Sequence, residues 1–233
     1  MSETGASERM PRAVVLCGGK GIRLRPLTNH FPKPLVEVRG RPIIDFIVNH
    51  LRKNSVSEIV LAGGYKWDLL RDYFVDSNIA VIDTGDVDII QRIRMLDDGV
   101  EDELLVLYGD TLSDVNIHSL LRAHRISGCS ATVTVWPLQS SFGLFSIGEN
   151  NLITSYHEKP VLEHWINIGY FVFNREVLEL LARFSKFEEL IEYLVIAGGL
   201  NAYRHSGLHV TVNTRSELEE AEESLASWSS LDW

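Results

Sequence analysis

Short apolar segments alternate with amphipathic stretches along the first half of this chain, and that alternation constrains the fold more than any other feature. Residues 13–17 are apolar, β-branched and followed by glycines, as expected of a buried strand. Residues 42–51 open on a proline and then place isoleucine, valine and leucine on one helical face. Similar patterns recur as far as a helix at 116–126 that Asn116 is placed to cap. We therefore predict an α/β fold with a doubly wound, Rossmann-like, mostly parallel sheet.

The second half of the chain changes character, because strand-like segments there follow one another across short turns. Its strand-like segments are 131–136, 143–147, 153–157, 168–173 and 208–212, and its helical segments are 175–184, 187–197 and 215–228. This order predicts a mixed sheet and a single domain at 12–228, flanked by a disordered tail at 1–11 and a short tail at 229–233.

Composition excludes several classes of function. The chain has 233 residues and a net charge of −10, which argues against general nucleic-acid binding. No apolar run approaches about 18 residues, so we expect no membrane span and no membrane partner. The two cysteines, Cys17 and Cys129, lie in or beside apolar segments, which indicates buried thiols and a cytoplasmic protein.

One stretch of this acidic chain is purely basic and rich in glycine. Residues 16–28 read LCGGKGIRLRPLT, and 32–35 read PKPL, with no Asp or Glu between positions 11 and 36. A glycine-rich turn after a strand lets backbone N–H groups approach phosphate oxygens, and Arg23 and Lys33 can neutralise them. The alternative is a tight turn with solvated charges. The segment matches neither the dinucleotide-binding fingerprint nor the Walker A pattern. The candidate nucleotide-binding residues here are Leu16, Gly18, Gly19, Lys20 and Gly21.

This run resembles the sugar nucleotidyltransferase family, whose pattern is Gly-Gly-x-Gly-Thr-Arg-Leu, then Pro-Leu-Thr and Pro-Lys-Pro. Ile22 stands where that pattern has threonine. The resemblance extends over nearly all of residues 12–228. It implies a GT-A-like nucleotidyltransferase domain in which a nucleoside triphosphate and a sugar or cyclitol 1-phosphate react with the help of Mg²⁺. It also implies that Arg23, Lys33 and Lys159 are catalytic.

The resemblance also implies the metal site. Gly109-Asp110, at the end of an apolar strand, is similar to the family's nucleotide-binding glycine and metal-binding aspartate, and carboxylates suit Mg²⁺. Asn213 aligns where many members have a second metal-binding aspartate. The alternative for Asn213 is a cap of the last helix, and for Asp114 we prefer a role in a local turn.

The sugar site is implied by three further motifs. Glu158-Lys159 is similar to the family's second lysine motif, in which lysine contacts the sugar phosphate and glutamate helps to hold the sugar. Asn167 is similar to the residue at the start of the sugar-binding strand, and its amide can both donate and accept hydrogen bonds. Gly143 is similar to the small residue that lets the sugar approach the backbone.

The base and the sugar are the least determined features. Within the family the resemblance is greatest to glucose-1-phosphate cytidylyltransferases, which favours CTP. That branch carries Thr-Gly-Gly-Arg beside the base, whereas residues 89–92 here read IIQR. A guanylyltransferase acting on a heptose or cyclitol 1-phosphate, in an antibiotic or polysaccharide pathway, is an alternative. A catalytically silent nucleotide- or sugar-binding relative and a Rossmann-type dehydrogenase are two more. The sequence leaves the state of homo-oligomerisation open.

Overall fold

The computed structural model describes residues 9–227, and strands alternate with helices through most of this range. The strands are β1 (Arg12–Leu16), β2 (Glu37–Val38), β3 (Arg41–Pro42), β4 (Ile59–Gly63), β5 (Ala80–Asp83), β6 (Glu103–Tyr108), β7 (Thr111–Ser113), β8 (Ala131–Gln139), β9 (Leu144–Ile147), β10 (Ile153–His157), β11 (Val161–Asn174), β12 (Leu200–Arg204) and β13 (His209–Thr211). The helices are α1 (Ile43–Lys53), α2 (Trp67–Tyr73), α3 (Ile89–Arg94), α4 (Ile117–Ser127), α5 (Arg175–Leu180), α6 (Phe187–Ile196) and α7 (Arg215–Ser227).

Seven strands form the central sheet, in the order β12-β8-β11-β6-β1-β4-β5. β1 pairs in parallel with β4 and β6, β4 with β5, and β8 with β12. β11 runs antiparallel to both of its neighbours. Because the chain winds outward from β1 in both directions, the predicted doubly wound, mixed and mostly parallel fold is confirmed.

Buried apolar side chains cover both faces of this sheet. Ala13 and Val15 face one cluster, which includes side chains of α1, α4 and α7, and Val14 faces the other, which includes side chains of α3, α5 and α6. Since helices cover both faces, the carboxyl edge of the parallel strands is where a ligand can reach the strand ends.

β7 and β13 form a separate antiparallel ribbon beside that carboxyl edge. Thr111 pairs with Thr211 and Ser113 pairs with His209. β7 begins directly after Asp110, and β13 ends two residues before Asn213. The ribbon therefore carries both predicted metal ligands, although they are far apart in the sequence.

Several elements differ from the sequence-based predictions. The patterns do not predict β12, whose residues LNAYR lack β-branched side chains and become a strand by pairing with β8. They do not predict α3 either, and they begin β11 at residue 168 although it starts at Val161. Asn116 caps α4 as predicted, because its side chain accepts a hydrogen bond from the Ser119 amide at 2.8 Å.

Most of the predicted tails, positions 1–8 and 229–233, lie outside the described residues. Position 228, the predicted end of the domain, lies outside them as well. Within the described part, Met10 packs against the core and Pro11 is buried. No helix among residues 9–227 combines the length and the apolar character needed to cross a membrane.

Candidate active site

The glycine-rich segment after β1 forms a tight turn at the carboxyl edge of the sheet. Gly21 has a φ of 58°, in the left-handed region that favours glycine. A Cβ at this position would also lie 2.8 Å from the side chain of Thr28. The Thr28 hydroxyl donates a hydrogen bond to the Gly21 carbonyl at 2.8 Å. A side chain further along the chain therefore holds the conformation of the turn.

Arg92 supports this turn from beneath. A Cβ at Gly18 would overlap the Arg92 guanidinium, so only glycine allows the two to pack so closely. The guanidinium donates to the carbonyl oxygens of Gly63 at 2.6 Å and Gly85 at 3.1 Å. Desolvation lowers the pKa of Arg92, while neighbouring aspartates oppose that shift. The buried cation therefore ties the ends of β4 and β5 to the glycine turn.

Lys33 joins the two predicted metal ligands. Its ammonium donates to Asp110 Oδ2 and, at 2.7 Å, to Asn213 Oδ1. Arg23 donates to the same amide oxygen at 2.9 Å. Lys33 is only 9% exposed, so its two contacts are partly shielded from water, whereas the Arg23 contact is exposed. Two cations and one carboxylate meet here, and the Glu217 carboxylate accepts from the Asn213 backbone amide at 2.6 Å; the two cations are the groups that a polyanionic ligand would bind.

A cavity of about 350 Å³ opens between the glycine turn and the strand ends, a size within the usual range of small-molecule sites. Its walls include the ends of β1 and β6, the glycine turn and the start of α3. Six predicted site residues line it: Leu16, Gly18, Gly19, Lys33, Gly109 and Asp110.

A buried thiol, that of Cys17, is part of the cavity lining. Burial raises the pKa of Cys17, and the nearby Asp110 raises it further. The predicted burial of this thiol is confirmed, and the raised pKa keeps it protonated. Cys129 is free as well, but it is only partly buried.

The predicted sugar residue Asn167 borders the same cavity through Tyr108. The Asn167 amide donates to the Tyr108 hydroxyl at 3.4 Å, and its carbonyl accepts from the Gly169 amide at 2.8 Å. Gly169 has a φ of 78°, and a Cβ there would overlap the Tyr108 ring. Tyr108 thus forms a wall shared by this cavity and the predicted sugar site.

The other predicted sugar residues flank the β9–β10 hairpin: Gly143 directly precedes β9, and Glu158 and Lys159 directly follow β10. A Cβ at Gly143 would contact Tyr156 and Glu158, and the Tyr156 hydroxyl donates to the Glu158 carboxylate. Lys159 has a φ of 43° and is exposed. Among residues 9–227, no hydrogen bond or ion pair is made by its side chain. Lys159 is therefore exposed to solvent after the hairpin and makes no hydrogen bond or ion pair with the described residues of the Lys33 cluster.

The structure separates one more predicted residue from the cavity. The Lys20 ammonium pairs with Asp86 at 2.5 Å, and both side chains are well exposed. Lys20 therefore neighbours the glycine turn without lining the cavity.

Sequence patterns assign no site role to Arg92 or Tyr108. The cap Asp88 followed by Ile89, Ile90 and Ile93 is a helix signal that could have placed Arg92 on α3. The Asp114 prediction of a local turn is wrong, because its carboxylate contacts residues more than 90 positions away. No local pattern signals that contact.

The side-chain oxygens at this site are of the chemical type that a magnesium ion binds. Asp110 and Asn213 both present side-chain oxygens, and a single ammonium already contacts both, so the oxygens converge on a point that a cation can share. Magnesium is commonly held by one or two protein oxygens together with substrate phosphates. Among residues 9–227, no group of three or more His, Cys, Asp or Glu side chains could hold a metal ion, so the phosphates would supply the remaining charge.

The fold and the site together indicate a general class of enzyme. A doubly wound sheet with a glycine turn, a cluster of cations and a small-molecule cavity at the carboxyl edge is the arrangement of a nucleotide-handling α/β enzyme.

Comparison with known proteins narrows this class. The family model described as nucleotidyl transferase matches residues 12–198, and the chain belongs to this family. The chain is 32% identical over 239 residues to the probable glucose-1-phosphate cytidylyltransferase of Bacillus subtilis (strain 168), covering 90% of this chain and 94% of that protein. It is 28% identical to the D-glycero-alpha-D-manno-heptose 1-phosphate guanylyltransferase of Campylobacter jejuni, with 78% and 85% covered.

A solved structure shares the fold. HddC from Yersinia pseudotuberculosis, complexed with GMP-PN, superposes with a TM-score of 0.72 at 19% identity, covering 93% of this chain and 100% of that one. The chain is thus a sugar-1-phosphate nucleotidyltransferase, which makes nucleoside diphosphate sugars. The dehydrogenase alternative is wrong, because the nucleotidyl transferase model matches residues 12–198, a range that includes the glycine turn.

Proposed function

We propose that this enzyme joins CTP to a sugar or cyclitol 1-phosphate, with Mg²⁺ as cofactor, giving a CDP-sugar and pyrophosphate. The observation that carries the proposal is the convergence of Lys33, Asp110 and Asn213 beside the cavity lined by the glycine turn. CTP is chosen because the 32% identical relative is a probable cytidylyltransferase.

The reaction is a displacement at phosphorus. An oxygen of the sugar phosphate attacks the α-phosphorus of the nucleotide, the bond to the β-phosphate oxygen breaks, and pyrophosphate leaves with the electron pair. The attacking oxygen is already anionic, so no general base is required. Catalysis is therefore positioning and charge stabilisation.

Each cation has a defined part in this displacement. Lys33 and Arg23 bind the β- and γ-phosphates and stabilise the negative charge that develops on pyrophosphate. Lys159 binds the sugar phosphate and orients its attacking oxygen. Lys159 lies on a solvent-facing turn. Either this turn moves toward the cavity or the sugar phosphate reaches outward to Lys159, so that the sugar phosphate can meet the α-phosphate of the nucleotide.

The remaining residues bind and orient the substrates. Gly18, Gly19 and Gly21 offer backbone N–H groups to the triphosphate, while Leu16 and Gly109 bound the nucleotide. Glu158 and Asn167 hold the sugar hydroxyls, and Gly143 keeps space beside them. Lys20 reaches the nucleotide after releasing Asp86.

The cofactor would be held by Asp110 and Asn213. When bound, Mg²⁺ supplies charge neutralisation to the nucleotide phosphates. The cytoplasm is the proposed compartment, since nucleoside triphosphates are made there and both cysteines are free thiols. The product would serve antibiotic or polysaccharide biosynthesis.

A guanylyltransferase is the second candidate. Ile89 lines the cavity where the cytidylyltransferase pattern has threonine, and Ile90 and Gln91 replace the two glycines that follow it. The Campylobacter jejuni relative is, by its name, a guanylyltransferase for a heptose 1-phosphate. A bulky isoleucine changes the space available to the base, so GTP and a heptose or cyclitol phosphate form the competing pair.

One substrate matrix tests these assignments. CTP, GTP, UTP, dTTP and ATP are each combined with a panel of sugar and cyclitol 1-phosphates, and pyrophosphate release is measured with and without Mg²⁺. The proposal expects the highest kcat/KM with CTP and no turnover in EDTA. A preference for GTP with a heptose phosphate supports the second candidate. Absence of pyrophosphate in every combination, with intact nucleotide binding, would indicate a silent relative.

A further inference from the structure

The side chains of Asp114 and His205 meet at the far end of the β7/β13 ribbon. Asp114 directly follows β7, and His205 directly follows β12, 91 positions later. His205 is only 9% exposed. Neither touches the cavity, so their contact has no part in the substrate binding described above.

We propose that Asp114 and His205 are a positioning pair, which fixes the register of the β7/β13 ribbon and thereby the relative placement of Asp110 and Asn213. This inference rests on the proposed role of Asp110 and Asn213 in binding the cofactor and the nucleotide phosphates.

The contacts fasten the two strands to each other. Asp114 Oδ1 accepts a hydrogen bond from the Leu208 amide at 2.6 Å and lies 3.0 Å from His205 Nε2. The same Nε2 lies 3.2 Å from the Leu208 carbonyl oxygen. Since both partners are acceptors, Nε2 carries the hydrogen. The Ser113 hydroxyl donates to the Leu208 carbonyl at 2.6 Å. The end of β7 is thus tied to the residue that precedes β13.

The connecting loop is anchored to the central sheet as well. The His205 amide donates to the Val135 carbonyl at 2.9 Å, and the Trp136 indole donates to the Gly207 carbonyl at 3.1 Å. A Cβ at Gly207 would lie 2.5 Å from the Asp114 carboxylate, so the loop packs tightly on that side chain. These contacts with β8 therefore fix where the ribbon lies relative to the central sheet.

The other end of the ribbon carries the site. The Val212 amide donates to the Asp110 carbonyl at 3.1 Å, and Lys33 bridges the Asp110 and Asn213 side chains. Only three residue pairs lie between the two ends, and an isolated two-stranded ribbon is marginally stable. A slip of one residue would turn Asn213 to the opposite face, away from Asp110. The contacts at the far end oppose that slip.

The test compares His205→Leu and Asp114→Ala with the conservative His205→Gln, which keeps a donor for the Asp114 carboxylate. Loss of residues that orient metal ligands typically costs 10–100-fold in metal affinity or activity. We expect His205→Leu and Asp114→Ala to raise the Mg²⁺ concentration for half-maximal rate by about tenfold or more, and to weaken Mn²⁺ binding without nucleotide, followed by electron paramagnetic resonance, by a similar factor. His205→Gln should recover most of that change.

His124→Gln is the matched control. This histidine is 1% exposed, and its ring bonds to Thr132 Oγ1 at 2.9 Å and Asn174 Oδ1 at 2.7 Å, near the amino end of β8. Like His205, it is a buried histidine whose ring makes two hydrogen bonds, so its replacement controls for the loss of such bonds elsewhere in the fold. We expect a lower melting temperature and an unchanged Mg²⁺ requirement per folded molecule.

Two results would overturn the inference. One is an unchanged Mg²⁺ requirement and kcat per folded molecule in both His205→Leu and Asp114→Ala. The other is equal loss in His205→Gln and His205→Leu. If Asp114→Ala does not fold, Ser113→Ala and Asp114→Asn weaken the same contacts more gently and carry the same expectation. Failure of the parent enzyme to require Mg²⁺ would instead reject the proposed cofactor site, so the two failures are distinguishable.

Discussion

Replacing Lys33 by methionine isolates the charge at the centre of the site. Methionine fills nearly the same volume, but it leaves the Asp110 carboxylate with the Thr111 hydroxyl at 3.4 Å as a weak partner. The Asp110 side chain is 27% exposed and can hydrate, so we expect a cost of about 1–3 kcal/mol in folding free energy. Losing a preorganised cation at the developing charge should cost about 3–4 kcal/mol in the transition state, or about 10²–10³ in kcat.

The assay is initial-rate pyrophosphate release at saturating nucleotide and Mg²⁺, normalised to the folded fraction from urea unfolding. Lys53→Met, on the exposed end of α1, is the control for a change from lysine to methionine and should keep the parent rate. A second readout is Mn²⁺ binding without nucleotide, followed by electron paramagnetic resonance. It should strengthen in Lys33→Met, because an ammonium no longer contacts both metal ligands. A folded variant with kcat within about threefold of the parent would refute the reasoning.

The other predictions concern three further positions. Asn213→Asp should preserve turnover and lower the Mg²⁺ concentration for half-maximal rate, because it adds a carboxylate at the shared cation point; an unchanged titration would leave Asp110 as the sole protein ligand. Gly18→Ala should lower the free energy of unfolding by about 1–3 kcal/mol, because the added Cβ displaces Arg92. Gly19→Ala is the control, since position 19 has open space around it, and it should melt like the parent. Equal melting temperatures for the two variants would contradict the packing argument. Burial, followed by the nearby His205, lowers the pKa of His209 from 6.5 to about 4. The folded protein then binds fewer protons than the unfolded chain, so its stability is full above about pH 6.5 and falls as the pH drops toward about 4. His209→Phe should reduce that loss, measured by urea unfolding at about pH 8 and pH 5, and an equal loss in both proteins would show that another group is responsible.

Local sequence determines the elements whose signals lie within a few residues. The central strand β1 has a run of apolar residues with glycines after it, and Asn116 caps α4 through a contact three positions away. The left-handed position in the glycine turn is a local signal as well, because it requires glycine at Gly21, although the distant Arg92 then supports the turn. These features follow from backbone sterics, capping and hydrophobic periodicity, which any short window of sequence expresses. The family motifs extend that reading to Lys33 and Asp110 as members of one site.

Tertiary structure alone decides how distant segments meet. β12 has little strand propensity and exists because β8 offers an edge to pair with. Lys33 contacts Asp110 across 77 positions and Asn213 across 180, and Asp114 reaches His205 across 91. Such contacts depend on the sheet order and on the register of a three-pair ribbon. Their free energy comes from packing and hydrogen bonding between elements, and no period or cap within one element encodes it.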